Sequence, residues 1–368
     1  MHERSHVTIL LLIIIPATTQ NWNEADDMVE NILELKQLSK HYPVRKGLFN
    51  KQVATKVAVD KIDLTIPQGQ TVALVGESGC GKSVLLRTII GLEKATSGKV
   101  LYKGRDCSIM NRNEQLTMRS KVQMIFQNSL TALHPRFTVL ESLAEPLLLN
   151  GMKDKAAIQQ RISETLYKVG LDPNYCSRYP ESLSGGQRQR VMIARALVEQ
   201  PELILADEPI SALDVSLQAQ VLNLLMDLKD EFHLSMLFVA HDLAVVRQIA
   251  DYTLIMYAGK IMEAAPAAEI YENACHPYTK VLLKSAPSIK KGVAGEEFHL
   301  DLKVGDAPDP ANLPHGCLFN TRCFYSNDQC ESEVPHMIEV SPKHFVRCGR
   351  YGQISYGPIA ETKVNLSF

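Results

Sequence analysis

The sequence predicts an α/β fold built on a parallel sheet, and three observations carry that expectation. The runs Thr71-Val-Ala-Leu-Val75, Leu203-Ile-Leu-Ala206 and Met236-Leu-Phe-Val-Ala240 are continuously apolar. Strands covered by helices on both faces have this pattern, whereas half-exposed strands alternate. The first run enters a glycine-rich loop, Gly76-Glu-Ser-Gly-Cys-Gly-Lys-Ser83. Between and after the runs, apolar residues recur at helical spacing: Ile158, Ile162, Leu166 and Val169 ahead of Gly170 and Pro173, then Leu217, Val221, Leu224, Leu225 and Leu228 after Asp214.

In chain order, His2 to Arg4 followed by Val7 to Ile15 and Ala17-Thr-Thr imitates a short signal peptide. The apolar run falls far short of the ~20 residues that span a bilayer. Met28 opens Val-Glu-Asn-Ile-Leu-Glu-Leu, which reads as the first strand of a domain, so residues 1–27 are expected to be an over-extended start. From Ile32 to Ile66, alternation in Ile32-Leu-Glu-Leu35, Val57-Ala-Val59 and Ile62-Asp-Leu-Thr-Ile66 predicts half-buried antiparallel strands, punctuated by Pro67-Gln-Gly69. A helix-rich insert is expected at about residues 128–200. The Pro, Lys and Gly content near Ser285 to Gly295 marks a linker. The organisation is therefore an N-terminal stretch (1–27), a main domain (28–285) and a C-terminal extension (286–368).

A chain of 368 residues accommodates two domains of roughly 150 residues each. Its formal charge of -2 excludes any bulk electrostatic case for nucleic acid or anionic lipid. Arg188, Arg190 and the Lys290-Lys291 pair are too few to form a basic stripe. Eight cysteines spread through a chain this large do not make a disulfide scaffold. Cys80, Cys107, Cys176 and Cys275 stand apart, whereas Cys317, Cys323, Cys330 and Cys348 crowd one end with spacing C-x5-C-x6-C-x17-C.

The loop Gly76 to Ser83 fits G-x-x-x-x-G-K-[ST], with a strand before it and a helix after it as that motif requires. Gly76, Gly79 and Gly81 allow the backbone, with Ser78 and Cys80, to wrap closely around phosphate, where successive N–H groups stabilise negative charge. Lys82 would reach the outer phosphates and Ser83 would offer a hydroxyl to Mg2+, a hard ion that prefers oxygen. Cys80 reads as a space filler, although its alkylation could block nucleotide binding. Asp207 closes a buried strand, where a bare carboxylate is costly unless a metal or metal-bound water faces it. Glu208 follows, placed to orient an attacking water.

Between these halves stands Ser184-Gly185-Gly186-Gln187-Arg-Gln-Arg190, and with Leu203-Ile-Leu-Ala-Asp-Glu208 downstream the order resembles the ATP-binding cassette (ABC) family. The resemblance implies a P-loop NTPase ABC nucleotide-binding domain: a parallel-sheet core, an antiparallel β subdomain and a helical subdomain. It assigns Glu208 as the base, Gln127 in Ile125-Phe-Gln127 as the lid glutamine and Mg2+ ligand, His241 in Val239-Ala-His-Asp242 as the switch histidine, and Asp207 as a Mg2+ partner. Ser211-Ala-Leu-Asp214 completes the pattern. Tyr42, before Pro43-Val44, matches the adenine-stacking aromatic, with Phe49 or core packing of Tyr42 left open. The Ser184 segment implies capping of ATP bound by another subunit, so the partner is a second cassette, a copy or a paralogue.

Past Ala250 the resemblance narrows. Asn273-Ala-Cys-His276-Pro277-Tyr278-Thr279, followed by Leu313-Pro314-x-Gly316-Cys317-x-Phe319-x-x-Arg322-Cys323, looks like the oligopeptide and dipeptide importer subfamily over roughly residues 30–350. Such a protein powers uptake from the cytoplasmic face of the inner membrane. It works with two transmembrane permease subunits and an extracytoplasmic substrate-binding protein, and without nucleic acid. Relatives import nickel or other small solutes. A soluble ABC ATPase of DNA repair or translation would be expected to carry a coiled-coil insertion or a second cassette. A non-catalytic partner would not need Lys82, Asp207, Glu208 and His241 together. The stretch Asn128 to Pro135 departs from the subfamily pattern, which bears on coupling to the permease. Some members bind a [4Fe-4S] cluster through cysteines such as Cys317, Cys323, Cys330 and Cys348; tetrahedral zinc and free thiols are the alternatives.

Overall fold

The computed structural model describes residues 30–46, 51–127, 132–211, 213–285 and 305–354. The stretch 1–27, Phe49, residues 128–131 of the departing segment and nearly all of the expected linker lie outside the described residues.

Among the described residues, twelve strands run in chain order as β1 Asn31–Lys46, β2 Lys51–Pro67, β3 Thr71–Val75, β4 Ser97–Tyr102, β5 Arg105–Asp106, β6 Val122–Ile125, β7 Leu203–Asp207, β8 Ser235–Ala240, β9 Tyr252–Tyr257, β10 Lys260–Pro266, β11 Ile338–Ser341 and β12 His344–Val346. The alternating segments form a four-stranded antiparallel sheet of order β2-β1-β4-β5, as expected from their half-buried pattern. The main sheet has the order β11-β12-β10-β9-β3-β8-β7-β6. Its five strands from β9 to β6 pair in parallel, and β10, β12 and β11 continue it as antiparallel neighbours.

Period-two geometry explains why the three apolar runs do not alternate. In β3, Val72 and Leu74 join the core shared with the antiparallel sheet. Ala73 and Val75 join the core on the helical side. The same division separates Leu203 and Leu205 from Ile204 and Ala206 in β7. Each strand serves two cores, so apolar residues fill both faces, and the buried polar residues Thr71, Asp207 and Ser235 stand at strand ends.

The helical insert is supported by local chemistry. The helix Val139–Leu149 starts on a capping box between Thr138 and Glu141. It carries Pro146, which has no N–H for the carbonyl of Ser142 four residues earlier. Arg195 supplies the missing donor, with Nε 3.2 Å from that carbonyl and Nη2 2.8 Å from Glu145. The next helix, Lys155–Lys168, is N-capped by Asp154 and buries Ile158, Ile162 and Leu166. Gly170 follows with φ near +70°, and Arg190 Nη1 donates to the adjacent Val169 carbonyl at 2.7 Å. The stripe after Asp214 also forms a helix, Val215–Phe232, with Val221, Leu224, Leu225 and Leu228 buried and Leu217 half-buried.

The C-terminal extension is more integrated than a satellite. Its β11–β12 hairpin prolongs the main sheet, and Cys317, Leu318, Phe319 and Cys323 belong to the same core as β3 and β7. Two buried polar contacts fasten it: His344 Nε2 lies 2.7 Å from Glu263 Oε1, and Arg347 Nε donates to the Ile261 carbonyl at 2.9 Å.

Candidate nucleotide site

The loop after β3 folds around its glycines. A side chain at Gly76 would meet the Met256 carbonyl at 2.2 Å, and one at Gly81 would meet that of Ala58 at 2.1 Å. Gly81 also has φ of +112°, which L residues rarely adopt. From Gly81 the helix Lys82–Ile89 begins without a side-chain cap, leaving its first N–H groups for other acceptors. Ser78 and Gly79 are exposed at the tip, while Cys80 is buried and burial pushes its thiol up. Cys80 is therefore packing in this loop, as the sequence suggests, and a poor target for alkylation.

Lys82 is only 4% exposed, and its Nζ donates to the carbonyls of Gly76 at 2.7 Å and Glu77 at 3.1 Å. It lies 3.6 Å from Glu208 Oε1. The ends of β3, β6, β7 and β8 bring the remaining groups together, as parallel strands do at one edge of such a sheet. Ser83 Oγ donates to Asp207 Oδ1 at 2.9 Å. Gln127 Nε2 donates to Glu208 Oε2 at 3.0 Å, and His241 Nδ1 stands 3.5 Å from the same oxygen. Burial, reinforced by the neighbouring Glu208 charge, pushes the Asp207 carboxyl up, and the Ser83 hydroxyl only partly opposes it. A buried, partly compensated carboxylate beside a hydroxyl is a donor set that suits Mg2+. Glu208 itself sits at φ of +45°, a strained conformation for a residue with a side chain. Its N–H is anchored to the Val239 carbonyl at 3.1 Å.

Ser184 to Gln187 occupy a different place. Ser184 caps the helix Gly185–Leu197 in a reciprocal box with Gln187, whose amide also donates to Tyr175 Oη at 3.0 Å. A Cβ at Gly186 would press on Leu217 at 3.2 Å. Among the described residues no hydrogen bond joins this segment to the loop of the same chain. Asp214 stands exposed at the start of Val215–Phe232 without a capping bond. Tyr42 is half-buried on β1; its hydroxyl bonds Glu93, Lys40 lies 4.7 Å over its ring, and burial together with Glu93 lifts its pKa to about 12.

The four C-terminal cysteines gather without disulfides. The Cys317 N–H donates to the Cys330 carbonyl at 2.8 Å. Burial pushes the Cys317 thiol up to about 12, with added effects from Cys348, Cys330 and Cys323. Among the described residues the one group of three metal-ligating atoms within 4.8 Å is instead Glu263, Cys275 and His344.

Sequence reasoning assigned no role to three residues that hold the loop: Glu77, Tyr278 and Arg322. The Glu77 N–H donates to Tyr278 Oη at 3.0 Å, and its carboxylate takes both Arg322 nitrogens at 2.7 and 3.0 Å. Tyr278 and Arg322 stand inside the two C-terminal patterns already quoted, so the signal was present without its geometry.

This arrangement of phosphate loop, paired acidic residues and capped glycine helix defines an ATP-binding cassette ATPase, and comparisons with known proteins agree. A family model described as ABC transporter matches residues 59–211. One described as oligopeptide/dipeptide transporter, C-terminal region, matches residues 262–330. The chain is 45% identical over 323 residues to the oligopeptide transport ATP-binding protein AppF of Bacillus subtilis, covering 88% of this chain and 98% of that protein. It is 41% identical over 309 residues to the di/tripeptide transport ATP-binding protein DppF of Pseudomonas aeruginosa, covering 84% and 94%. Among solved structures, the dimeric post-hydrolysis state of the ATP-binding cassette MJ0796 bound to ADP and Pi superposes with a TM-score of 0.57 at 30% identity, covering 64% of this chain and 98% of that one. The chain belongs to the ABC transporter family, in the group of oligopeptide and dipeptide transport ATP-binding proteins.

Proposed function

We propose that this chain is the ATP-hydrolysing subunit of an importer for di- or oligopeptides, docked peripherally on the cytoplasmic face of the inner membrane. The single observation that carries the substrate class is the match of residues 262–330 to the oligopeptide/dipeptide transporter C-terminal region, alongside relatives named for peptide transport. Among the described residues no helix is long and apolar enough to cross a membrane, so the translocation path would come from two permease subunits. An extracytoplasmic binding protein would deliver the peptide.

At the site, Gly76 to Ser83 hold the phosphates and Lys82 exchanges its carbonyl partners for the outer phosphates. Ser83, Asp207 and Gln127 would hold Mg2+, which would neutralise charge on the phosphates. Glu208 orients the attacking water and accepts its proton, and His241 contacts the γ-phosphate. Tyr42 stacks on the adenine. Ser184 and Gly186 close the site of a second cassette, so ATP binding joins two subunits and hydrolysis parts them. Asp214 lies at the edge of that joint. The cysteines Cys317, Cys323, Cys330 and Cys348 would hold a [4Fe-4S] cluster; their all-sulfur donor set supports it, with Cys317 and Cys323 buried and Cys330 and Cys348 half-buried. Iron and acid-labile sulfide in equal amounts in anaerobically purified protein would bear this out, and their absence would leave free thiols.

The test of the whole reading is affinity purification of the tagged chain from detergent-solubilised membranes, with partners identified by mass spectrometry. Two multi-spanning permeases and a cassette partner are expected. Recovery of only ribosomal or nucleic-acid partners would overturn the transport reading and leave the ATPase.

A further inference from the structure

The phosphate loop of this chain contains a carboxylate, Glu77, in a place built to receive a polyanion. Left alone, that charge would repel the phosphates it stands beside. It is not left alone. Arg322, from the C-terminal extension 245 residues away in sequence, meets both carboxylate oxygens as a fork at 2.7 and 3.0 Å. A bidentate guanidinium–carboxylate pair fixes orientation as well as charge, which a lysine cannot do.

The remaining groups of Glu77 are held as well. Its N–H donates to Tyr278 Oη at 3.0 Å, and its carbonyl accepts from Lys82 at 3.1 Å. Arg322 and Tyr278 are themselves immobilised. Tyr257, Tyr278 and Phe319 are each at most 1% exposed and stack with ring centroids 4.7 to 5.3 Å apart. Arg322 lies against this cluster, with its guanidinium carbon 5.8 Å from the Tyr257 ring and 5.9 Å from that of Phe319. One residue of the loop is therefore gripped by Tyr278, on the helix Pro277–Ser285, and by Arg322 of the C-terminal extension.

We propose that Arg322 and Tyr278 are positioning residues for ATP: Arg322, from the C-terminal extension, neutralises Glu77 and together with Tyr278 fixes the phosphate loop in its binding shape, so nucleotide affinity depends in part on a segment outside the cassette proper. The proposal rests on the assignment of Gly76 to Ser83 as the ATP site. Electrostatics and geometry both contribute, and they separate by substitution. Arg322→Ala leaves Glu77 charged beside the phosphates. Arg322→Lys keeps the charge and loses the fork. Glu77→Gln with Arg322→Ala removes both charges.

The experiment measures ATP affinity by fluorescent-nucleotide titration, together with KM and kcat, on the full chain in its purified complex. Arg322→Ala is expected to weaken ATP about tenfold and to raise KM with kcat nearly unchanged, because it acts on binding rather than on the water at Glu208. Arg322→Lys should fall between, and the double variant should recover most of the loss. Tyr278→Phe, which removes a single hydroxyl, should weaken ATP by a few-fold. Unchanged affinity in folded Arg322→Ala would overturn the proposal. If that variant does not fold, wild-type affinity in both Arg322→Lys and Tyr278→Phe would overturn it. Lys82→Ala is the control for the underlying assignment. If it binds ATP as the wild type does, the loop assignment has failed, a result distinct from failure of Arg322.

Discussion

The Gln127 amide and the Glu208 carboxylate meet at 3.0 Å, joining the ends of two neighbouring parallel strands across 81 residues of sequence. The contact fixes one carboxylate oxygen of Glu208, while Lys82 stands 3.6 Å from the other. A carboxylate held this way can accept a proton from water without having to find its orientation first.

Glu208→Gln keeps the shape and the contact with Gln127 but removes the base. Steady-state hydrolysis should fall by about 10²–10⁴-fold, the usual worth of a general base. ATP should be retained and the paired form of the cassette should accumulate, seen as a shift in size-exclusion chromatography with ATP. Unchanged phosphate release would refute the assigned base.

Asp207 illustrates stability given up for function. Burial pushes its carboxyl up, so the folded chain holds that proton more tightly than the unfolded chain does. Stability is then lost as pH rises from the ordinary aspartate value of 3.8 through the raised folded one. Asp207→Asn should raise the Tm at pH 7 while abolishing Mg2+-dependent hydrolysis, and the gain should shrink as pH falls towards 3.8. A lower Tm at pH 7 would contradict this.

His344 shifts in the same direction for a different reason. Burial disfavours its imidazolium, but bonds to Cys275 and Glu263 overcome that and hold the ring at about 9. The pair's contribution is full below 6.5, the ordinary histidine value, and is lost as pH rises through about 9. His276, beside the same carboxylate, is pushed down to about 4 by burial and stays neutral over that range, its Nδ1 accepting the Tyr278 N–H. Wild-type Tm should fall between those two pH values, and His344→Ala should cost about 3 kcal/mol at pH 6, because Glu263 keeps only the backbone N–H groups of Cys275 and His276 as partners. Denaturant melts at the two pH values measure it.

Gly81→Ala would push a methyl group into the Ala58 carbonyl, 2.1 Å away, at a φ of +112°. The backbone strain alone is about 1–3 kcal/mol. ATP binding should be lost even where the chain still folds, as read by nucleotide titration beside circular dichroism. Normal affinity would show that the loop adapts.

The cassette was legible in the sequence because its signals are local. The loop from Gly76 to Ser83, the Ser184-Gly185-Gly186-Gln187 signature and the apolar runs each declare themselves within a few residues. The antiparallel strands from Ile32 to Ile66 followed from alternation, and the helical insert from spacing. What stayed hidden was non-local. No periodicity says that His344 pairs with Glu263, that the hairpin at Ile338 to Val346 extends the main sheet, or that Arg322 reaches Glu77. Tyr42 was assigned from its family position alone, and its bond to Glu93 and cover by Lys40 depend on β1 and the loop after Ile89 coming together in space.

The β11–β12 hairpin has a consequence for anyone shortening this protein. A chain cut after Ser285 would keep every motif of the ATP site but leave β10 as a bare edge, with the backbone groups of Glu263 and Ala264 that pair with Val346 and Phe345 turned to solvent. Exposed edges of that kind template pairing with other chains. Such a fragment should self-associate, and the C-terminal segment thus serves as the sheet's guard against aggregation.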